Sequence, residues 1–324
     1  EGEERQEAGP PKGGRISNVP EELFKKILDN KYNVVDRVWA APAAGSLPRV
    51  VTLAPGAKPP MGEEAWLRLP HIAVNGMTNC GKSTLINHVL SWKYAAKASS
   101  RPGRTNSIDF YCVNGRFVLV DLPGYPDPDE VAYMGVMKNW ESHWEDLVLS
   151  YLEMCAEKKY DLRLLLQLQM SKYRPSAMCQ RFSLECQRLG LPSLLVLTKD
   201  DQLKKGHKER NFYAQQIRRK LDVKGPHLHY TSNTTVPSSR KSKKALHRWM
   251  RTAINAKDGA ETCELLLQAW EEREAATQAA VGQQESSSRS SSPTPRLGNP
   301  KAAAESAAPG SDSPLPEAAA PGSG

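Results

Sequence analysis

The cysteines of this chain show no pairing pattern. Six are scattered over 324 residues, at Cys80, Cys112, Cys155, Cys179, Cys186 and Cys263, and no C-x-x-C spacing occurs. That argues against a disulfide framework and against a zinc site, and points to reduced thiols in a reducing compartment. No run of about twenty apolar residues is present, so no membrane-spanning helix is expected. Large apolar residues almost vanish between Thr277 and Gly324, where Ala, Ser, Pro, Gly and Gln dominate. Such a tail cannot bury enough surface to fold and is expected to be disordered. The first sixteen residues are polar and rich in Gly and Pro, and the same expectation holds for them.

What remains is long enough for one sizeable core. The run Gly76-Met77-Thr78-Asn79-Cys80-Gly81-Lys82-Ser83 fits G-x-x-x-x-G-K-[ST] at every fixed position. Before it, His71-Ile72-Ala73-Val74 reads as a buried strand; after it, Thr84 to Leu90 reads as a helix with one apolar face. A Gly-rich turn ending in Lys-Ser by chance would lack both flanks. The strand–loop–helix context gives the pattern a mechanism, a phosphate cradle. Successive N–H groups from Asn79 through Thr84, with the helix N-terminus, face the negative charge. Lys82 would reach the β- and γ-phosphates and Ser83 would ligate Mg²⁺.

A second motif bears on the base. Ser193 to Leu197 is a continuous apolar run, expected to be a buried parallel strand, and it ends in Thr198-Lys199-Asp200-Asp201. Guanine-specific P-loop proteins carry [NT]-K-x-D at this place. Asp201 would accept hydrogen bonds from the guanine N1–H and 2-amino group, and Lys199 would lie along the base. Adenine offers neither donor, and a carboxylate left facing an acceptor costs a few kcal/mol. Between the two motifs, Arg116 to Val120 reads as a strand closing on Asp121-Leu122-Pro123-Gly124, the D-x-x-G arrangement. Asp121 would hold Mg²⁺ through a water, and the Gly124 N–H would touch the γ-phosphate. Thr105 lies in the loop before the strand Ile108 to Val113 and is a further candidate Mg²⁺ ligand. Asn114-Gly115 is a hairpin signal, so the expected fold is α/β: a G domain whose mixed, mostly parallel sheet has helices on both faces.

With these motifs in place, the order LPHIAVNGMTNCGKSTLIN, RPGRTNSIDFY, VDLPGY, LTKDD resembles the EngB (YihA) family of GTPases. Trp144 and Tyr151-Leu152 fall where that family has a helical W…YL. The resemblance covers about residues 65 to 255. It implies a GTP/GDP-binding switch in assembly of the large ribosomal subunit, with rRNA and ribosomal or assembly-factor proteins as partners and no DNA. The chain departs from the family after the second switch helix, where Leu162 to Gln169 ends in glutamines rather than an Asp-x-Arg stretch. The last guanine loop is placed at Thr231-Ser232-Asn233, with Ser232 and Asn233 as ligands. Asn79, Lys82 and Thr105 are the candidate catalytic positions. Asn79 is the residue type that potassium-activated relatives use to hold K⁺ against the phosphates, and it could equally hydrogen-bond the loop. Where Ras-like proteins carry a catalytic Gln, directly after D-x-x-G, Tyr125 stands here, so slow turnover is expected. A P-loop ATPase or nucleotide kinase is the competing enzyme reading, and Thr198 to Asp201 argues against it. A nucleotide-bound scaffold without turnover is the other alternative.

The expected organisation is a polar N-terminus (1–16), an extension with a short helix near Pro20 to Leu28 (17–64), the G domain (65–256), an amphipathic helix (257–276) and the tail (277–324). Net charge is +8. Cations gather in two runs: Lys204, Lys205, Lys208, Arg210, Arg218, Arg219 and Lys220, then Arg240, Lys241, Lys243, Lys244, Arg248 and Arg251. Read as two runs near one edge, they fit contact with RNA phosphates as well as they fit a solvated face, and no aromatic-rich RNA-reading motif accompanies them. Low-complexity ends on a relative of a bacterial ribosome factor point to a eukaryotic organelle, with the mitochondrial matrix as the expected location.

Overall fold

The computed structural model describes residues 27–29, 33–48, 65–92, 96, 107–126, 140–203, 206–272 and 275. The chain divides into a compact unit over 1–275 and a remainder over 276–324, which falls outside the described residues. Most of the helix expected at 20–28 also falls outside them, as does Thr105.

Seven strands form one sheet in the order β1-β3-β4-β2-β5-β6-β7. They are β1 (Val35–Ala41), β2 (His71–Gly76), β3 (Ile108–Val113), β4 (Phe117–Asp121), β5 (Leu162–Met170), β6 (Ser193–Thr198) and β7 (His227–His229). Strands β4, β2, β5, β6 and β7 run parallel, whereas β1, β3 and β4 form an antiparallel ladder. The central strands are continuous apolar runs because helices cover both faces. Six helices complete the unit: α1 (Lys82–Leu90), α2 (Glu145–Ala156, entered through a π-helical turn at Trp140–Trp144), α3 (Ala177–Arg188), α4 (Gly206–Leu221), α5 (Ser238–Asn255) and α6 (259–272). Right-handed crossovers put α2, α3 and α4 on one face. α5 packs on α1 on the other.

The hairpin signal is realised. Asn114 and Gly115 take φ of 52° and 61°, the left-handed pair a type I′ turn needs. Asn114 also reaches beyond its turn. Its side chain accepts from the Val34 N–H at 2.7 Å and donates to Asn33 Oδ1 at 2.9 Å, while Asn33 donates to the Leu90 carbonyl at 2.9 Å. That network stitches the segment before β1 to the hairpin and to the end of α1. The sheet thus begins before residue 65, and β1 is an unexpected edge strand supplied by the extension. At the other end, α6 packs on the unit through buried Leu266 and through Trp270, whose ring lies 3.7 Å from the Arg218 guanidinium.

The two basic runs do not form one surface. Both adjoin the β7 edge, but α4 and α5 cover opposite faces of the sheet. Several of their cations are also used internally. Arg210 pairs with Asp200 at 2.9 Å, Arg218 covers Trp270, Lys243 donates to Ser91 Oγ at 2.6 Å, and Arg251 donates to the Leu28 carbonyl. Lys204 and Lys205 lie outside the described residues.

One aromatic cluster sits beneath β2. His71 stacks on Tyr160 (5.2 Å) and Tyr151 (6.4 Å), with Phe110 edge-on. Burial pushes the His71 imidazole down to about 3. All six cysteines are free, and all but Cys263 are buried.

Candidate functional site

The phosphate loop leaves β2 at Gly76. A Cβ there would sit 2.6 Å from the Leu168 carbonyl and 2.8 Å from Cys80 Sγ, so only glycine fits against the neighbouring strand. Asn79 (φ 58°) and Gly81 (φ 104°) then turn the backbone through left-handed conformations into α1. Such a turn lines up N–H groups as an anion-binding concavity. Lys82 is only 7% exposed, and its ammonium donates to the carbonyls of Gly76 at 3.0 Å and Met77 at 2.9 Å. Buried in this way, it is a fixed cation at the mouth of the loop.

The D-x-x-G segment lies directly on that loop. The Thr78 N–H donates to the Tyr125 carbonyl at 2.8 Å, and a Cβ on Gly124 would meet Lys82 Nζ at 2.4 Å. Gly124 is therefore where the sequence places it, touching the cation expected to hold the γ-phosphate. Asp121, at the end of β4, is 2% exposed. Ser83 hydrogen-bonds its carboxylate, yet its Oδ1 has no hydrogen-bond partner among the described residues. Burial raises the Asp121 carboxyl to about 7, helped by Asp109 and opposed by Lys82 and the Ser83 hydrogen bond. An orphaned, buried carboxylate oxygen beside a hydroxyl suits a hard divalent cation. Two protein oxygens with the rest from phosphates and water is how Mg²⁺ is commonly held in such sites. Among the described residues no group of three or more His, Cys, Asp or Glu could hold a metal by itself. Thr78 Oγ1 is a second buried polar atom without a partner among the described residues, at a variable position of the motif.

The base-selecting loop is built at the ends of β6 and β7. Thr198 Oγ1 donates to the Cys80 carbonyl at 2.7 Å, tying this loop to the phosphate loop. The hydrogen bond to the phosphate loop is thus made by Thr198, and Lys199 takes a left-handed turn (φ 54°). The two aspartates separate sharply. Asp200 is buried and holds Arg210 and His229, the latter at 2.8 Å. Asp201 is exposed. It accepts from Thr231 Oγ1 at 2.7 Å and Asn233 Nδ2 at 3.3 Å. Burial raises the Asp201 carboxyl, but those two hydrogen bonds, its own backbone and the Lys199 charge outweigh it, and the group lies below the usual carboxylate range. Thr231 and Asn233, two of the three residues at which the last guanine loop was expected, thus lie against Asp201.

Tyr125 is 5% exposed and stacks on Phe182 at 4.8 Å, with Trp140 edge-on at 6.0 Å. Its phenol is part of the core between the phosphate loop and α3, not a group facing phosphate.

Asp201, the carboxylate expected to face the base, and the phosphate loop are joined through Thr198 and Cys80, at the carboxyl edge of a sheet with this strand order. The class follows: this is a P-loop GTPase. A family model described as a 50S ribosome-binding GTPase matches residues 71–181. A probable GTP-binding protein EngB from Shouchella clausii is 32% identical over 167 residues, covering 52% of this chain and 80% of that relative. One from Lactobacillus acidophilus is 36% identical over 160 residues, covering 49% and 76%. The crystal structure of a probable GTP-binding protein engB aligns over 57% of this chain and 98% of its own, with 18% identity and a TM-score of 0.42, too distant to add weight. The chain belongs to the EngB family.

Proposed function

We propose that this GTPase is a slow, Mg²⁺-dependent switch that acts in assembly of the large ribosomal subunit, in the mitochondrial matrix. The observation that carries the GTP reading is the Thr198–Cys80 hydrogen bond, which holds Asp201 and Lys82 in one frame. Lys82 and the loop N–H groups bind and orient the phosphates, and Asp201 selects guanine. When bound, Mg²⁺ would be held by Ser83 and Asp121 and would supply charge neutralisation at the phosphates. Thr105, outside the described residues, is proposed as its further ligand. The ribosomal part rests on family membership and on the 50S ribosome-binding description of the matching family model.

Slow turnover rests on Tyr125. Its side chain is committed to the core, so no side chain at that position orients the attacking water. Asn79 is then the P-loop group proposed to hold K⁺, a charge that would stabilise the transition state from a fixed position. The location rests on the low-complexity termini alone. The same Tyr125 observation favours the second reading, a nucleotide-bound scaffold without turnover.

The test has three parts. Nucleotide competition should favour GTP over ATP, and equal binding of the two would sink the guanine assignment. Hydrolysis should be slow in sodium buffer and rise in potassium or with large-subunit particles, and Asn79→Ala should remove the potassium effect. No hydrolysis under any condition would replace the switch by the scaffold. Fractionation of cells expressing the tagged full-length protein should find it in the matrix with large-subunit material.

A further inference from the structure

Helix α5 carries six cations, Arg240, Lys241, Lys243, Lys244, Arg248 and Arg251, and no carboxylate in its eighteen residues. At 3.6 residues per turn, all but Lys243 fall within an arc of roughly 100°. Those five are exposed. Its buried residues, among them Leu246, Met250 and Ala253, face inward against the sheet and α1.

This arrangement works against the helix itself. Arg240–Lys244 and Lys244–Arg248 are like charges at i,i+4, where opposite signs would stabilise. Most of the cations lie in the first half, at the positive end of the helix dipole. A face kept merely for solubility would mix signs. Three exposed arginines elsewhere are paired: Arg37 with Asp109, Arg181 with Glu145 and Arg188 with Glu185. Among the described residues, Arg240, Lys241, Lys244 and Arg248 have no ion pair. The charge of Asp29 acts on Lys243, outside that arc.

An exposed aromatic residue follows the α1 residue that α5 holds through Lys243. Lys243 holds Ser91 Oγ at the end of α1, and the next residue, Trp92, is 44% exposed. Cations that track a backbone beside an open ring for a base make up the composition of a surface for single-stranded or looped nucleic acid.

We propose that α5 and Trp92 form an RNA-docking surface on the face of the domain that carries α1: Arg240, Lys241, Lys244 and Arg248 contact phosphates and Trp92 stacks an unpaired base. The ribosomal reading enters only in naming RNA as the natural polymer. An anionic membrane fits poorly, because the apolar side of α5 is already buried and has nothing to insert. The base site is close in the chain. Ser242 Oγ donates to the Thr231 carbonyl at 3.1 Å, so α5 is tied to the loop that holds Asp201.

The test uses the full-length protein, GDP-bound, with two labelled RNAs followed by fluorescence anisotropy: a stem-loop with an unpaired loop and a fully paired duplex. Affinity should fall with salt on a log–log slope of about −3, as expected for four phosphate contacts. Lys241→Glu/Lys244→Glu/Arg248→Glu should weaken both RNAs at least about tenfold and flatten the slope by roughly two, with GDP affinity and melting temperature retained. If the reversal disturbs folding, the neutral Lys241→Gln/Lys244→Gln variant should give about two-thirds of that change in slope. Trp92→Ala should cost roughly five- to a hundredfold on the stem-loop and little on the duplex. RNA affinity unchanged by the charge variants would overturn the proposal, as would polyglutamate displacing RNA as well as unlabelled RNA does, or loss of binding confined to anionic vesicles. An equal effect of Trp92→Ala on both RNAs would remove Trp92 from the surface. Co-sedimentation of the unaltered protein with large-subunit particles tests the function separately, and it can succeed while the charge variants show that α5 is not the contact.

Discussion

Asp200 and Asp201 end the same strand and do unrelated work. Asp200 is buried in an ion pair with Arg210 and a contact to His229, so it shapes the loop. Asp201 is exposed, with its two oxygens held in position by Thr231 and Asn233. Asp201→Asn keeps an acceptor for Thr231 but turns an amide N–H₂ toward either the base or Asn233. GTP affinity should fall on the order of a hundredfold, because a donor then faces the guanine 2-amino group. XTP, with an oxygen at that place, should become the preferred ligand. Competition among GTP, XTP and ATP measures this, and unchanged GTP preference would remove Asp201 from the base site. Lys82→Ala should lose nucleotide binding while the melting temperature of the free protein changes little, since its hydrogen bonds are to loop carbonyls rather than to the core. These residues were legible in the sequence because each answers a local demand: glycine at a close approach, lysine at a phosphate, a carboxylate at a strand end. The particular environments of Thr78 and Thr231 were not, although both fall in loops the sequence marks, because a buried orphan hydroxyl and a hydrogen bond to Asp201 appear only in the fold.

At the scale of elements, the central strands announced themselves as apolar runs closed by functional loops. Strand β1 did not. Val35-Asp36-Arg37-Val38-Trp39-Ala40-Ala41 lacks a clean period of two, and its ladder slips between Arg37 and Trp39, which breaks any alternation. What holds it is partly remote: the Asn33–Asn114 network and the Arg37–Asp109 pair. Asn114→Gly keeps the left-handed turn but loses the contacts to Val34 and Asn33. It should cost roughly 1–3 kcal/mol in denaturant unfolding, where a turn residue alone would tolerate glycine. The inward use of Arg210 and Arg218 was illegible for the same reason, because they find their partners only in three dimensions. His71 makes the aromatic cluster acid-sensitive. Its imidazole is held near 3 when folded and at the ordinary 6.5 when unfolded, so its contribution is complete above 6.5 and is lost as pH falls toward 3. His88 and His247, both pushed by burial to about 4, act in the same direction. His71→Phe should flatten the fall in melting temperature between pH 7 and pH 5, an effect of about 2 kcal/mol at pH 5. A fall as steep as that of the parent protein would place the acid sensitivity elsewhere.

At the scale of the molecule, the family domain and the folded unit are not the same length. The matching family model ends at residue 181, whereas the sheet continues to β7 and begins at β1. A chain started at residue 65 should keep the nucleotide loops but bare the outer edge of β3. It should bind GTP and yet aggregate at concentrations where the full chain does not, measurable by light scattering; equal solubility would mean that another segment covers that edge. The same edge strand has a consequence in time. About eighty residues separate Val35 from its partner Val113. At roughly 5–20 residues per second of synthesis, β1 waits several seconds before β3 exists to receive it. For that interval a nascent chain carries a strand with neither edge paired ahead of an unfinished sheet, so a chaperone binding near Val35–Ala41 during translation would influence the yield of the protein.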